Sequence, residues 1–244
     1  MKSFIVQART GSTRMPGKTL LPLWNEMGML ELILQYLAQA FPEIGLVVAT
    51  TTNSDDDQIE ELCNKLNVKC FRGDEQNVLK RMVDAARFHE VDDIVRVCSD
   101  NPFLQKKFIK LLIDDTSGAD YVTCTVNGTP TIITHFGFFV ERVKRKALEL
   151  VQKITVDPLY QEHVTNYVYQ HPDDFELKFI EVEDELGNLK NTRFTVDDES
   201  DFLRAKKIFS TFDRFPDLSD LKQFISHNPS EKELMKKTIE KYQK

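Results

Sequence analysis

The chain is 244 residues long and 41% hydrophobic, with a formal net charge of −7 and a pI near 5.4. That is enough for one sizeable domain, and the acidic balance argues against a broad nucleic-acid or anionic-membrane surface while leaving room for a small basic pocket. No run approaches the ~20 apolar residues of a membrane span, the opening apolar run is too short for a signal-peptide core, and Cys63, Cys70, Cys98 and Cys124 form no C-x-x-C, which fits a reducing cytoplasm.

The first element is a short buried strand, Phe4-Ile5-Val6. It runs into Ala8-Arg9-Thr10-Gly11-Ser12-Thr13-Arg14-Met15-Pro16-Gly17-Lys18, a loop with three cations, small residues and hydroxyls. Gly11 can take a positive φ and keeps no Cβ between the backbone and a ligand. Pro16 stiffens the loop. Backbone N–H groups, hydroxyls and fixed cations together suit a polyphosphate, against the alternative of an ordinary charged surface loop. Gly11 and Gly17 stand one residue too far apart for a P-loop, and G-x-G-x-x-G is absent.

Helical spacing over 30–41 ends at Pro42. The apolar run 45–50 reads as a buried parallel strand. Thr51 to Asp57 turns the chain into a helix over about 56–66, whose start favours Asp55–Asp57 without any metal. A third strand covers 68–71, and a helix from Val78 to His89 carries an apolar stripe that leaves Arg81 to one side. The strand 92–98 leads to Asp100-Asn101-Pro102, a stiff turn at a strand end where a carboxylate could take Mg²⁺ or simply shape the turn. Further elements are a helix over 106–116, a strand over 120–126, a helix over 159–170 and a strand over 175–182. Thr195-Val196 reads as a strand end, with Asp198 onward starting a helix through Phe212. Asp197 is then either the partner of Asp100 on a metal or the helix N-cap, while Asp201 reads as a helix-start acid. The alternation predicts an α/β, doubly wound, mostly parallel sheet with ligands at the strands' C-terminal ends. The expected division is a domain over 1–228 and a charged helical tail over 229–244.

The loop around Arg9–Lys18 resembles the signature loop of sugar-activating cytidylyltransferases, and the SpsF-like spore-coat polysaccharide branch most, relatives of the CMP-sialic acid and CMP-Kdo synthetases. Phe71-Arg72-Gly73 with Val78-Leu79-Lys80-Arg81, Asp100-Asn101-Pro102-Phe103, Glu162-His163-Val164-Thr165-Asn166-Tyr167 and Arg193-Phe194-Thr195-Val196-Asp197 resemble further family segments. The resemblance implies a Rossmann-like nucleotidyltransferase fold and a loop that wraps the triphosphate of CTP. Ala8, Arg9, Gly11, Ser12, Gly73, Arg81 and Asp100 would lie on the nucleotide side. Arg81 could equally be a solvated helix cation. Asp100 and Asp197 would hold Mg²⁺. Gly137-Phe138-Phe139-Val140-Glu141 departs from the branch's G-x-D-x-E by placing Phe139 at the Asp position, next to the acceptor. Glu141 and His163 would face that acceptor, or serve as a strand-end surface acid and a structural histidine. A homodimer is also implied, with Phe136, Phe138 and Phe139 as a candidate apolar patch.

The reading is a Mg²⁺-dependent cytidylyltransferase. A sugar or polyol-type acceptor attacks the α-phosphorus of CTP, and Arg14 and Lys18 hold the departing pyrophosphate. The implied setting is surface polysaccharide biosynthesis. A nucleotide-sugar-dependent glycosyltransferase and a catalytically quiet nucleotide-binding homologue are the alternatives.

Overall fold

The computed structural model describes residues 1–242. The N-terminal half lays down strand and helix in turn. Strand β1 (Lys2–Gln7) leads through the basic loop to a small hairpin, β2 (Pro22–Trp24) and β3 (Met27–Gly28), and then to helix α1 (Met29–Ala40). Next come β4 (Gly45–Thr51), α2 (Asp57–Lys65), β5 (Lys69–Gly73), α3 (Val78–Phe88), β6 (Asp93–Cys98) and α4 (Lys106–Ile113). The second half contains β7 (Tyr121–Val126), β8 (Thr129–Pro130), β9 (Glu141–Lys144), α5 (Arg145–Ile154), α6 (Pro158–Glu162), α7 (Asn166–Gln170) and β10 (Leu177–Glu181). It closes with α8 (Glu183–Leu186), α9 (Glu199–Phe209), α10 (Leu218–His227) and α11 (Pro229–Lys241).

The main sheet runs β10-β7-β9-β6-β1-β4-β5, with β8 paired to β7. Strands β6, β1, β4 and β5 pair in parallel, as do β7 and β10, and β9 is antiparallel between β6 and β7. The α/β, mostly parallel expectation holds. Alternation along β1 explains why both faces are covered: Phe4 and Val6 enter one core with α1, α4 and α9, while Ile5 enters the other with α3 and α5. Burying large apolar side chains such as these, at roughly 1.5–3 kcal/mol each, is the main favourable term in holding the layers together.

Four expectations are corrected. The helix over 159–170 is two short helices, broken at His163-Val164-Thr165, where Val164 is fully buried and the Thr165 hydroxyl is drawn down to Glu141 at 2.7 Å. Thr195-Val196 belongs to no strand, because its neighbourhood bonds to loops: Phe194 N–H donates to the His135 carbonyl and Val196 N–H to the Asp100 carbonyl. Phe136, Phe138 and Phe139 are 8%, 0% and 6% exposed and stack within the core, so they form no docking patch for a second copy. Arg81 is buried rather than solvated, its Nη1 donating to the Asp74 and Glu75 carbonyls.

Helix α11 packs on the body through Met235, which is fully buried, and through ion pairs of Glu231 with Lys207 and Arg204. Residues 243 and 244 of the expected tail lie outside the described residues. No helix among the described residues is long and apolar enough to cross a membrane.

Candidate active site

A cleft of about 730 Å³ opens at the C-terminal ends of β1 and β6. Ala8, Arg9, Ser12, Arg14, Lys18, Asp100, Glu141, His163 and Asp197 all line it. These residues come from loops far apart in sequence, and the parallel sheet brings them to one edge.

The basic loop is anchored at its root. Thr10 donates both its N–H and its hydroxyl to Asp56 Oδ1 at 2.7 Å, and the other oxygen of Asp56 accepts from the Thr51 hydroxyl at the end of β4. Burial works against the charge on Asp56, but these hydrogen bonds outweigh it and hold its pKa below the usual value. Asp56 thus ties the loop to the sheet, a role that helix-start reasoning did not assign to it. Within the loop, Ser12 and Gly17 both donate to the Thr10 carbonyl. The left-handed residue is Gly17, at φ +71°, and not Gly11. Gly11 instead has open space where a Cβ would stand, which leaves its backbone approachable.

Two of the loop's cations, Arg14 and Lys18, converge on Asp197. Arg14 Nη2 donates to Asp197 Oδ1 at 2.8 Å, and Lys18 Nζ lies 3.9 Å from the same oxygen while donating to the Val196 carbonyl at 2.5 Å. From behind, Arg193 donates to Asp197 Oδ2 at 2.5 Å. Arg193 is itself buried and held by Asp201, which also takes Arg204 and the Asp197 N–H. Burial opposes ionisation of Asp197, yet Lys18, Arg193 and Arg14 hold its pKa below the usual range. The N-cap of α9 is Asp198, whose side chain accepts from the Asp201 N–H at 3.0 Å. Asp197 is therefore free of the capping role, and Asp201 is the expected acid in the first turn of α9, where it is also a buried ion-pair hub.

Asp100 reaches the same place from β6. Its carbonyl accepts from Val196 N–H at 2.9 Å, so the segments carrying Asp100 and Asp197 run side by side. No group of three or more His, Cys, Asp or Glu among the described residues is arranged as a metal cage. Two carboxylates lining the cleft beside the basic loop would nevertheless suit Mg²⁺, since that ion completes its shell with phosphate oxygens and water.

The opposite wall is built on a buried pair. Arg96 on β6 and Glu141 on β9 are bonded to one another, and Glu141 also accepts from the hydroxyls of Tyr121 and Thr165. Arg96 Nε donates to Gln7 at 3.0 Å. Glu141 is 2% exposed, so it is not a surface acid. His163 is exposed at the break between α6 and α7 and lines the cleft beside Glu162 and Asn166. Phe139 contributes to the same wall while packing on Phe108.

Gly73 and Arg81 do not line the cleft. Gly73 ends β5, where an added Cβ would lie 2.8 Å from the Phe71 ring. Arg81 sits behind that strand end, its pKa pulled down by burial and by the nearby charge of Arg9.

A cytidylyltransferase family model matches residues 3–242. The spore coat polysaccharide biosynthesis protein SpsF of Bacillus subtilis is 32% identical over 235 residues, 93% of this chain and 94% of that protein. An uncharacterized protein of Methanocaldococcus jannaschii is 34% identical over 233 residues, 94% of this chain and 92% of its own length. Among solved structures, a cytidylyltransferase from Leptospira borgpetersenii matches with a TM-score of 0.82 at 28% identity, covering 94% of this chain and 95% of that one. CMP-2-keto-3-deoxy-manno-octonic acid synthetase, solved in complex with CTP, matches with a TM-score of 0.66 at 14% identity over 86% of this chain and 98% of its own, a likeness of fold. The chain belongs to the cytidylyltransferase family and is a nucleotidyltransferase.

Proposed function

We propose that this enzyme transfers CMP from CTP to a hydroxyl of a sugar or polyol-type acceptor, with Mg²⁺, in the biosynthesis of a surface polysaccharide. The observation that carries the reading is the meeting of Arg14, Lys18 and Asp197 at one rim of the cleft, with Asp100 on the adjoining segment. The acceptor hydroxyl oxygen forms a bond to the α-phosphorus and releases its proton to water, the bond to the bridging oxygen breaks, and its electron pair leaves on pyrophosphate. Little covalent work falls to the protein, so positioning and charge neutralisation dominate. Arg14 and Lys18 hold the β- and γ-phosphates and receive the charge that develops on the leaving group. Arg9, Ser12 and the open backbone at Gly11 line the base and α-phosphate side. Asp100 and Asp197 hold the metal, which when bound neutralises phosphate oxygens. The spore coat role of the Bacillus subtilis relative supports the polysaccharide setting. Glu141 fixes the acceptor wall from beneath, and His163 and Asn166 face the acceptor.

The test is pyrophosphate release with Mg²⁺ across the four ribonucleoside triphosphates and a panel of sugars, sugar phosphates, ulosonic acids and polyols. CTP-dependent release with at least one acceptor is expected. CTP binding without turnover across the panel would identify a quiet nucleotide-binding homologue instead.

A further inference from the structure

Arg14 is the most exposed of the cations gathered around Asp197, with 45% of its side chain open to solvent. A long side chain on a loop needs something to hold its guanidinium in one place. Asp197 does so here, but an Asp197 that turns to a metal releases it. A second contact remains. The Arg14 guanidinium lies over the ring of Tyr242, 5.2 Å from its centroid, and Arg193 lies 5.4 Å from the same centroid.

Tyr242 caps the C-terminus of α11, its N–H donating to the Thr238 and Ile239 carbonyls. Its hydroxyl donates to Asp198 Oδ2 at 3.1 Å, which pins the ring to the start of α9. The helix behind it is fixed by Met235 and Glu231. The ring therefore stands on a rigid support and meets Arg14 by its face. A planar guanidinium stacked on a ring keeps its N–H edges available for phosphate oxygens. The ring contact thus leaves those edges free for a triphosphate, whereas the Asp197 contact occupies one of them.

We propose that Tyr242 is a positioning residue for triphosphate binding, holding Arg14 in place through its ring, so that the last described turn of the chain is part of the nucleotide site. The proposal rests on the assignment of Arg14 to the β- and γ-phosphates.

The test measures affinity for CTP with Mg²⁺, and for CMP, by calorimetric titration of the full-length protein. Tyr242→Leu is expected to weaken CTP by about three- to tenfold, the range of a partly exposed cation–π contact, and to leave CMP unchanged. Tyr242→Phe keeps the ring but loses the bond to Asp198, and is expected to bind CTP more tightly than Tyr242→Leu and no better than the wild type. In an Arg14→Ala background, Tyr242→Leu should cost nothing further. CMP affinity also reports on folding, and an equal loss for CMP and CTP overturns the proposal. Wild-type CTP affinity in Tyr242→Leu, an undiminished effect in the Arg14→Ala background, or Tyr242→Phe as weak as Tyr242→Leu would each overturn it too. If Arg14→Ala itself binds CTP normally, the assignment of Arg14 fails and the proposal falls with it. If only the Tyr242 variants behave like wild type, that assignment stands.

Discussion

The backbone N–H of Val196 donates to the carbonyl oxygen of Asp100 at 2.9 Å. This one bond joins the end of a β6-derived turn to the approach to α9 and sets Asp100 and Asp197 along the same rim of the cleft. If the two share one metal, Asp100→Asn and Asp197→Asn should each abolish Mg²⁺-dependent pyrophosphate release, and the double variant should be no worse. Asp197 has a second property, because it neutralises Arg14, Lys18 and Arg193. Asp197→Asn should therefore bind metal-free CTP more tightly than the wild type. Titration in EDTA reads this directly, and a metal-free affinity equal to that of the wild type would contradict it.

Arg14 and Lys18 should separate in stability though not in activity. Each contacts the leaving group in this account, so each alanine variant should lose on the order of 2–4 kcal/mol of transition-state stabilisation. Lys18, however, is buried and donates to the Val196 carbonyl, whereas Arg14 is half exposed. Lys18→Ala should also lower the melting temperature, because it leaves a buried acceptor without its donor. Arg14→Ala should melt as the wild type. Thermal melts alongside turnover check both halves.

Glu141→Ala should cost stability before it costs anything else. It would leave Arg96 buried without its counter-charge and strand the hydroxyls of Tyr121 and Thr165. Breaking one side of such a buried pair typically costs about 3–5 kcal/mol. Urea denaturation should register the loss, and a variant as stable as the wild type would contradict the assignment of Glu141 to the cleft's foundation.

Acid should loosen the start of α9 only at very low pH. Burial disfavours the charge on Asp198, but hydrogen bonds from Ser200, the Asp201 N–H and Tyr242, together with the Arg193 charge, bring its pKa down from 3.8 to about 2. A depressed carboxylate contributes stability that is complete above 3.8 and lost as pH falls through about 2. Asn caps a helix as well as Asp does, so Asp198→Asn should fold. The stability gap between wild type and variant should be constant down to about pH 5 and shrink towards pH 2. A gap that closes well above the ordinary carboxylate range would contradict the assignment.

What the sequence made legible was what local pattern encodes. The apolar runs at β1, β4 and β6 announce a parallel sheet, and the loop after β1 falls at its C-terminal edge as such sheets require. What stayed hidden depends on partners distant in the chain. The helical pattern over 159–170 gave no sign that the helix would break at His163, or that the Thr165 hydroxyl would bond to Glu141, 24 residues earlier. Phe136, Phe138 and Phe139 read as an apolar patch because nothing local shows that Phe108 and Phe194 cover them. Arg81 fell outside a helical stripe, yet the 74–75 turn closes over it and buries it. Asp197 was legible as a candidate from its family motif. The three cations around it, from positions 14, 18 and 193, are visible only in the fold.

The central claim is that one rim of this cleft binds a metal–CTP complex. A crystal structure of the protein with CTP and Mg²⁺ tests it most directly. The account predicts a triphosphate on Arg14 and Lys18, Asp197 turned from Arg14 towards the ion, and oxygens of Asp100 and Asp197 about 2.0–2.1 Å from Mg²⁺ or one water removed. A nucleotide seated away from the basic loop, or a metal held without either carboxylate, would contradict it.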